Sequence, residues 1–337
     1  MKTYQQLWQS LTPLYDAGEA QAIVRTVLDV KYGMTLTDII CGKVNELSAD
    51  EERKLEEIII RLQKGEPVQY VLGEADFAGR PFHVEPGVLI PRPETAELCQ
   101  WIEKDMIEKT IVSSGDSSED SPEDSSEDSS GNSPQATDDA KLILDICTGS
   151  GCIAITLGLN IPNSEVTGWD ISEDALRIAQ GNVEMMKAGN VRIEHQDALA
   201  LPKAAETDNE KMKGNDDKEV VKPKGEAKTP STQKWDLIVS NPPYICEKEK
   251  ADMEKNVLEH EPSLALFVPD EDPLKFYRAI AEYASSTLKP EGALYFEINP
   301  IYEKETREML LKLDFKDIET KEDAFGKKRM MRAKSTK

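Results

Sequence analysis

The sequence is short of histidine and of long apolar runs, and both shortages exclude classes of protein. The three histidines, His83, His195 and His260, never share helical spacing, so we expect no histidine-based metal site. No apolar run approaches the roughly 20 residues that a membrane-spanning helix needs. The amino terminus, MKTYQQLWQSLTPLYDAGEA, lacks the apolar core of a secretory signal. We therefore expect a cytoplasmic protein without a membrane partner.

Cysteine is also sparse, with five in 337 residues. The spacings fit neither a zinc cluster nor a disulfide framework, so reduced thiols and no bound metal are predicted. The positions are Cys41, Cys99, Cys147, Cys152 and Cys246.

Basic residues are outnumbered, with 41 Lys and Arg against 64 Asp and Glu, and the net charge is −23. Residues 113–140 hold nine acids and no base, so the rest of the chain still carries −14. A phosphate backbone is bound through clustered Lys and Arg. Free nucleic acid is therefore not expected as a direct substrate.

The chain divides by pattern into three parts. Residues 1–66 carry apolar residues at three- and four-residue intervals, as in SADEERKLEEIIIRLQKGEP, which predicts a small helical domain with Ser48 as an N-cap. Residues 67–95 alternate aromatic or branched residues with Gly and Pro, which indicates a β-hairpin linker. Residues 96–337 remain for one larger domain.

Two polar stretches interrupt the larger domain. Residues 113–140 contain the degenerate repeat DSSE-DSPE-DSSE-DSSG, and residues 202–234 mix Lys with acids. Neither holds enough apolar residues to join a core, so both are predicted to be disordered insertions.

Outside the insertions, strand and helix patterns alternate. LILDIC, VTGWD, VRIEHQD, WDLIVSNPPY and GALYFEIN are typical of strands, and a closing strand pair follows. Helical segments separate them, including SEDALRIAQGNVEMMKAG with Ser172 as its N-cap. This order predicts an α/β fold built on a doubly wound sheet.

The first of these strands runs into Asp145-Ile-Cys-Thr-Gly-Ser-Gly151 and then a helix. Small residues let the backbone approach a ligand closely, and the start of the helix presents N–H groups. The motif is not the dinucleotide fingerprint GxGxxG, because only Gly149 and Gly151 are present and Cys147 fills an earlier glycine-like position. Alone, it fits a nucleotide-like ligand or a plain tight turn.

Acids follow the next two strands. Asp170 stands 21 residues after Gly149, where a carboxylate can accept hydrogen bonds from a ribose diol, or merely precede an N-cap. Asp197 follows the third strand, within reach of an adenine amino group. Ligands of open α/β sheets lie at such carboxyl ends, so the three features together predict a nucleoside-containing ligand.

The fourth strand ends in Asn241-Pro242-Pro243-Tyr244. Proline fixes φ and lacks an N–H group, and a residue before proline is held extended. The Asn241 side chain and the Pro242 carbonyl are then free to accept the two N–H groups of a primary amide or exocyclic amine. Tyr244 can stack on a planar group. The plain alternative is a Pro-Pro turn after an edge strand.

An amide nitrogen is a poor nucleophile, because its lone pair is delocalised into the carbonyl group. Two fixed acceptors would polarise its N–H bonds and bring the lone pair towards a sulfonium methyl group. Catalysis would then rest mainly on orientation, with no metal and no strong base.

Through these motifs the chain resembles the peptide chain release factor N5-glutamine methyltransferases, the HemK-like family, over nearly its whole length. The resembling segments include VLIPRPETAEL, LDICTGSGCIAI, VSNPPYI, HEPSLAL and KEDAFGKKR. The resemblance implies a class I methyltransferase domain, a Rossmann-like sheet whose last strand is antiparallel, behind a substrate-recognition domain. It also implies S-adenosylmethionine as donor, S-adenosylhomocysteine as product, and the glutamine of the Gly-Gly-Gln loop of class I release factors as acceptor.

Carried over by position, the resemblance assigns roles to residues. The catalytic residues would be Asn241, Pro242 and Tyr244, and Asn241 to Tyr244 would clamp the glutamine amide. Cofactor binding is implied for Cys147, Thr148, Gly149, Ser150, Gly151, Asp170, Asp197, Ala198, Asn241, Arg92 and Thr95.

Three positions depart from the family pattern. Cys147 stands where glycine is common, which should be tolerated if its φ is negative. Ala96 replaces a frequent acid, so no role is assigned to it. VPDEDPL, residues 268–274, replaces a glycine-containing segment.

Three other functions compete with this interpretation. A glutamine methyltransferase of a ribosomal protein shares the Asn-Pro-Pro-Tyr chemistry, although its linker reads more like PRSP than PRPET. An N6-adenine nucleic-acid methyltransferase would use the same clamp on an exocyclic amine, against the acidic charge. A catalytically silent scaffold would use the acidic tract to recruit partners.

Overall fold

The computed structural model describes residues 2–114, 140–201 and 234–337. The two predicted insertions lie almost entirely outside this part of the chain, so their disorder stays a prediction. Residues 113–114 are the end of a helix. Within the described ranges, no helix is long and apolar enough to cross a membrane.

The amino-terminal segment is helical, as predicted. Its bounds are α1 Tyr4–Gln9, α2 Ala17–Tyr32, α3 Leu36–Ile40 and α4 Ala49–Leu62, with a 3₁₀ turn at Lys43–Glu46. Ser48 caps α4, since its hydroxyl accepts from the Glu51 N–H group and the Glu51 carboxylate accepts from Ser48. The apolar faces of these helices form a core of their own, separate from that of the sheet.

The predicted hairpin is present but occupies only part of residues 67–95. A short helix, α5 Val68–Leu72, comes first and packs Val71 and Leu72 into the amino-terminal core. The antiparallel strands β1 Glu74–Phe77 and β2 Arg80–His83 follow. Residues 84–92, which we call the strap, lead to the long helix α6 Pro93–Ser114.

A seven-stranded sheet forms the larger domain, in the order β10-β11-β9-β6-β3-β4-β5. The strands are β3 Lys141–Ile146, β4 Ser164–Asp170, β5 Val191–His195, β6 Trp235–Ser240, β9 Leu288–Glu297, β10 Phe315–Glu322 and β11 Lys328–Ser335. Six strands, including β10, run in the same direction, and β11 runs antiparallel between β9 and β10. The predicted class I methyltransferase fold is confirmed.

Helices cover both faces of the sheet. They are α6, α7 Cys152–Asn160, α8 Glu173–Met186, α11 Lys275–Thr287 and α12 Glu303–Lys312. Alternate residues of one strand serve opposite faces: Ile143 packs in one core with Ile155, and Leu144 in the other with Ile280. Strand β6 is central, so Asn241-Pro242-Pro243-Tyr244 does not follow an edge strand.

Short elements between β6 and α11 fold back over the carboxyl edge of the sheet. They are β7 Ile245–Cys246, a 3₁₀ turn at Glu247–Asp252, α9 Lys255–His260, α10 Ser263–Leu266 and β8 Phe267–Val268, which pairs in parallel with β7. The segment VPDEDPL contacts the 3₁₀ turn of this region, where Asp270 accepts a hydrogen bond from the Lys248 N–H group at 3.0 Å. The same edge carries the predicted ligand residues.

Candidate functional site

A cavity opens at the carboxyl edge of β3, β4, β5 and β6. Its walls bring together most of the residues predicted for the cofactor: Arg92, Thr95, Cys147, Thr148, Gly149, Ser150, Asp170, Asp197, Ala198 and Asn241. Gly151 lies just behind this wall. A Cβ atom there would come within 3.1 Å of Ile155 and 3.3 Å of Ala179, and the φ of 80° also favours glycine.

The loop from Cys147 to Gly151 is shaped by left-handed backbone conformations. Cys147 has φ of 63°, and Gly149 and Gly151 have φ of 56° and 80°. The condition set for tolerating a cysteine here, a negative φ, is not met, because the chain turns sharply out of β3 before α7. A Cβ atom at Gly149 would meet nothing within 4 Å. The loop therefore leaves open space beside its backbone.

Asp145 holds this loop from beneath. Its Oδ2 accepts from the Thr148 hydroxyl at 2.6 Å and from the Ala154 N–H group at 3.2 Å. Burial raises the pKa of Asp145 to about 7, although these two hydrogen bonds act in the opposite direction.

Asp170 joins the loop to the end of β4. Its carboxylate accepts from the Gly149 N–H group and from the Ser172 N–H group, both at 2.9 Å. Burial raises its pKa, and these backbone hydrogen bonds lower it. Each oxygen keeps a second lone pair for a ligand. Asp197 lies two residues beyond the end of β5 and accepts from the Leu199 N–H group at 2.8 Å.

Asn241 stands on the boundary between the first cavity and a second one. The second cavity, which we call the acceptor chamber, is lined by Leu89, Arg92, Asn241, Tyr244, Ile245, Met253, Glu254, Val257, Ala265, Leu266 and Glu297. Asn241, Arg92, Leu89 and Ala265 line both spaces. Pro243 lines the first cavity, whereas Pro242 is buried and is not among the residues that line either cavity.

A buried carboxylate that sequence reasoning missed anchors this corner. Glu297 is 2% exposed and accepts from the Thr95 hydroxyl at 2.5 Å and from the Tyr244 hydroxyl at 2.9 Å. Asn241 Nδ2 in turn donates to Thr95 Oγ1 at 3.2 Å. The sequence feature that could have identified Glu297 is its place as an acidic residue at the carboxyl end of the strand in GALYFEIN. Asp170 occupies the same position at the end of β4.

The strap closes one side of the first cavity. The Arg92 guanidinium pairs with Glu261 at 2.5 Å, and the other oxygen of Glu261 accepts from the Ile90 N–H group at 3.2 Å. Arg92 therefore lies on the cavity wall, as the sequence predicted, with its charge already matched. The sequence analysis did not identify Glu261 as a residue of the site.

Ala96, to which no role was assigned, is buried in the first turn of α6.

No group of three or more His, Cys, Asp or Glu side chains that could hold a metal occurs among the described residues.

Two family descriptions match the chain. Residues 12–73 match the PrmC N-terminal domain, and residues 137–300 match a methyltransferase domain. A release factor glutamine methyltransferase from Bacteroides thetaiotaomicron is 42% identical over 96% of each chain. The chain belongs to the release factor glutamine methyltransferase family. Release factor glutamine methyltransferases from Flavobacterium psychrophilum and Bacillus subtilis are 35% and 31% identical, and each match covers 98% of this chain.

Membership of the release factor glutamine methyltransferase family confirms the resemblance seen in the motifs and makes the chain a methyltransferase. Its matches extend over nearly the whole length of these relatives, 96% to 98%.

Proposed function

We propose that this protein transfers a methyl group from S-adenosylmethionine to the side-chain amide nitrogen (N5) of the glutamine in the Gly-Gly-Gln motif of class I peptide chain release factors. The observation that carries the proposal is Asn241 on the wall between two cavities, with its nitrogen already bound to Thr95. The names of the relatives support the choice of acceptor. Such a reaction belongs to translation termination in the cytoplasm.

The residues of the first cavity fit S-adenosylmethionine. Open space beside Gly149 leaves room for a close approach to the backbone. Asp170 offers carboxylate lone pairs to a ribose diol, and Asp197 with Ala198 would border the adenine. When bound, this cofactor supplies an electrophilic methyl group.

The acceptor chamber fits the other reactant. Asn241 Oδ1 and the Pro242 carbonyl accept the two N–H groups of the glutamine amide and turn the nitrogen lone pair towards the first cavity. S-adenosylmethionine, held by the loop from Cys147 to Gly151 and by Asp170, would supply the methyl group and become S-adenosylhomocysteine, and the glutamine nitrogen would give up one amide proton to water. The chamber's apolar side chains, including Ile245, Val257 and Leu266, suit the methylene groups of glutamine.

The decisive experiment supplies methyl-labelled S-adenosylmethionine together with a class I release factor, the same factor with its Gly-Gly-Gln glutamine changed to glutamate, a ribosomal protein, or DNA. We expect label only in the unaltered release factor. Label in the ribosomal protein or DNA instead would support the corresponding alternative function.

Asn241→Ala is the matched variant for this assay. Removing one of the two acceptors should abolish most turnover, while calorimetry should show S-adenosylmethionine affinity within a few-fold of the wild type. Near-normal labelling by this variant would rule out the amide clamp.

A further inference from the structure

One buried carboxylate is hydrogen-bonded, directly or through one hydroxyl, to two of the polar side chains that line the acceptor chamber, Tyr244 and Asn241. Glu297 Oε2 accepts from Thr95 Oγ1 at 2.5 Å, and Thr95 Oγ1 accepts from Asn241 Nδ2 at 3.2 Å. Glu297 Oε1 accepts from the Tyr244 hydroxyl at 2.9 Å. Thr95 and Glu297 are each 2% exposed, so water does not compete for these bonds.

The direction of each hydrogen bond follows from the number of hydrogens available. An ionised carboxylate only accepts, and a hydroxyl has a single hydrogen to donate. Thr95 gives its hydrogen to Glu297, so its oxygen can only accept from Asn241. The NH₂ group of Asn241 must therefore face Thr95, and its carbonyl oxygen is left for the cavities.

Tyr244 is constrained in the same way. Its hydroxyl hydrogen is used by Glu297, and Arg329, which is held by Asp323 at 2.9 Å, donates to the Tyr244 oxygen at 3.4 Å. Tyr244 therefore has no hydrogen left for the carbonyl of a substrate. The pKa of Glu297 is raised, chiefly by burial, and the two hydroxyl donors and the charge of Arg329 offset part of that rise.

We propose that Glu297 and Thr95 are positioning residues that fix the Asn241 amide with its oxygen towards the acceptor, so that the chamber selects a glutamine amide over a glutamate carboxylate. This inference rests on the proposed function and adds the origin of its selectivity. A reversed Asn241 amide would offer N–H groups, which attract a carboxylate and repel the N–H groups of glutamine.

The test compares Thr95→Val, which removes the hydroxyl at nearly constant volume, with Thr95→Ser, which keeps it. The complex with S-adenosylhomocysteine is titrated with release factor carrying glutamine or glutamate at the acceptor position, so that no turnover occurs. The wild type and Thr95→Ser should prefer glutamine. Thr95→Val should lose about 10-fold or more of this preference, the range expected for one misdirected hydrogen bond.

Kinetics provide the second readout. With intact release factor, kcat of Thr95→Val should fall about 10- to 100-fold, with a smaller change in KM and with S-adenosylmethionine affinity within about three-fold. Glu297→Gln keeps the side-chain volume and should also lower kcat. The hydroxyls of Thr95 and Tyr244 donate to different oxygens of Glu297, and an amide replaces one of those oxygens by an NH₂ group that cannot accept. Thermal unfolding checks that each variant is folded.

Two results overturn the proposal in distinguishable ways. If the wild type labels release factor and Thr95→Val keeps both its kcat and its preference for glutamine, the positioning role is wrong and the proposed function stands. If the wild type binds S-adenosylmethionine but labels no release factor, both fall together.

Discussion

At the scale of single residues, Cys147 has a side chain where the backbone favours glycine. Its φ of 63° places its backbone in the left-handed region, which costs about 1 kcal/mol for a residue other than glycine. The side chain packs against the apolar cluster on one face of the sheet, which offsets part of that cost.

We therefore expect Cys147→Gly to be more stable than Cys147→Ala by about 1 kcal/mol, because both lose the thiol and only alanine keeps the strain. Denaturant unfolding of the two variants measures the difference. Equal stabilities would show that the left-handed conformation costs nothing at this position.

Asp145 links the stability of the cofactor loop to pH. Its carboxyl is fully buried, its Oδ1 has no hydrogen-bond partner among the described residues, and its pKa is raised from 3.8 to about 7. The folded protein therefore binds this proton more tightly than the unfolded chain does. Its contribution to stability falls as pH rises from about 4 to about 7, and then levels off.

Asp145→Asn imitates the protonated carboxyl at every pH. We expect the variant to gain about 2 °C or more in Tm relative to the wild type between pH 5 and pH 8. Differential scanning fluorimetry across this range measures the gain. A difference in Tm that stays constant with pH would mean that Asp145 is already ionised at pH 5.

At the scale of elements, the strap is held over the cofactor cavity by a residue from the far side of the site. The Glu261 side chain is 1% exposed and receives both the Arg92 guanidinium and the Ile90 N–H group. The Tyr70 hydroxyl also donates to the Val88 carbonyl at 2.5 Å. The Glu261 contacts couple the linker to the elements between β6 and α11, and the Tyr70 bond ties the strap to α5.

Glu261→Ala should release the strap and weaken S-adenosylmethionine binding about 10-fold, since a buried charged hydrogen-bond partner is lost. Glu261→Gln, which keeps the bond to Ile90, should have a smaller effect. Stopped-flow dissociation and calorimetry measure both. Asp50→Ala, which removes an exposed ion pair with Arg53, is the control and should change nothing. Unchanged cofactor dissociation in Glu261→Ala would show that these strap contacts do not contribute to cofactor binding.

At the scale of the whole molecule, the amino-terminal helices form a core that is separate from the core of the sheet. The acceptor chamber contacts a single side chain, so by itself it offers little to distinguish one glutamine from another. Selectivity for a protein substrate then requires contacts remote from the reacting atoms. Residues 1–66 are the expected source of such contacts.

A chain that starts at Gln69 loses the core that covers Val71 and Leu72, so both are changed to serine. This chain should bind S-adenosylmethionine normally. Its kcat/KM for intact release factor should fall at least about 10-fold, because remote binding energy is lost. A short Gly-Gly-Gln peptide should be an equally poor substrate for both chains. Circular dichroism checks folding. Full activity of the shortened chain on intact release factor would limit those helices to a role in stability.

What the sequence determined by itself was local or periodic. Helical spacing and the Ser48 cap predicted the amino-terminal helices, and alternation of strand and helix predicted the sheet. The position of Asn241 after a strand predicted its place at the carboxyl edge, because parallel strands align their ends there. These features depend on neighbouring residues, so they can be read without the fold.

Only the tertiary structure decided how the corner around Asn241 is oriented. The bond from Thr95 to Glu297 spans 202 positions in sequence, and the pair of Arg92 with Glu261 spans 169. Contacts between residues so far apart leave no periodic trace, and they form only when α6 and the strap pack beside β6 and β9. For the same reason the left-handed turn at Cys147 became visible only once β3 and α7 were joined in space.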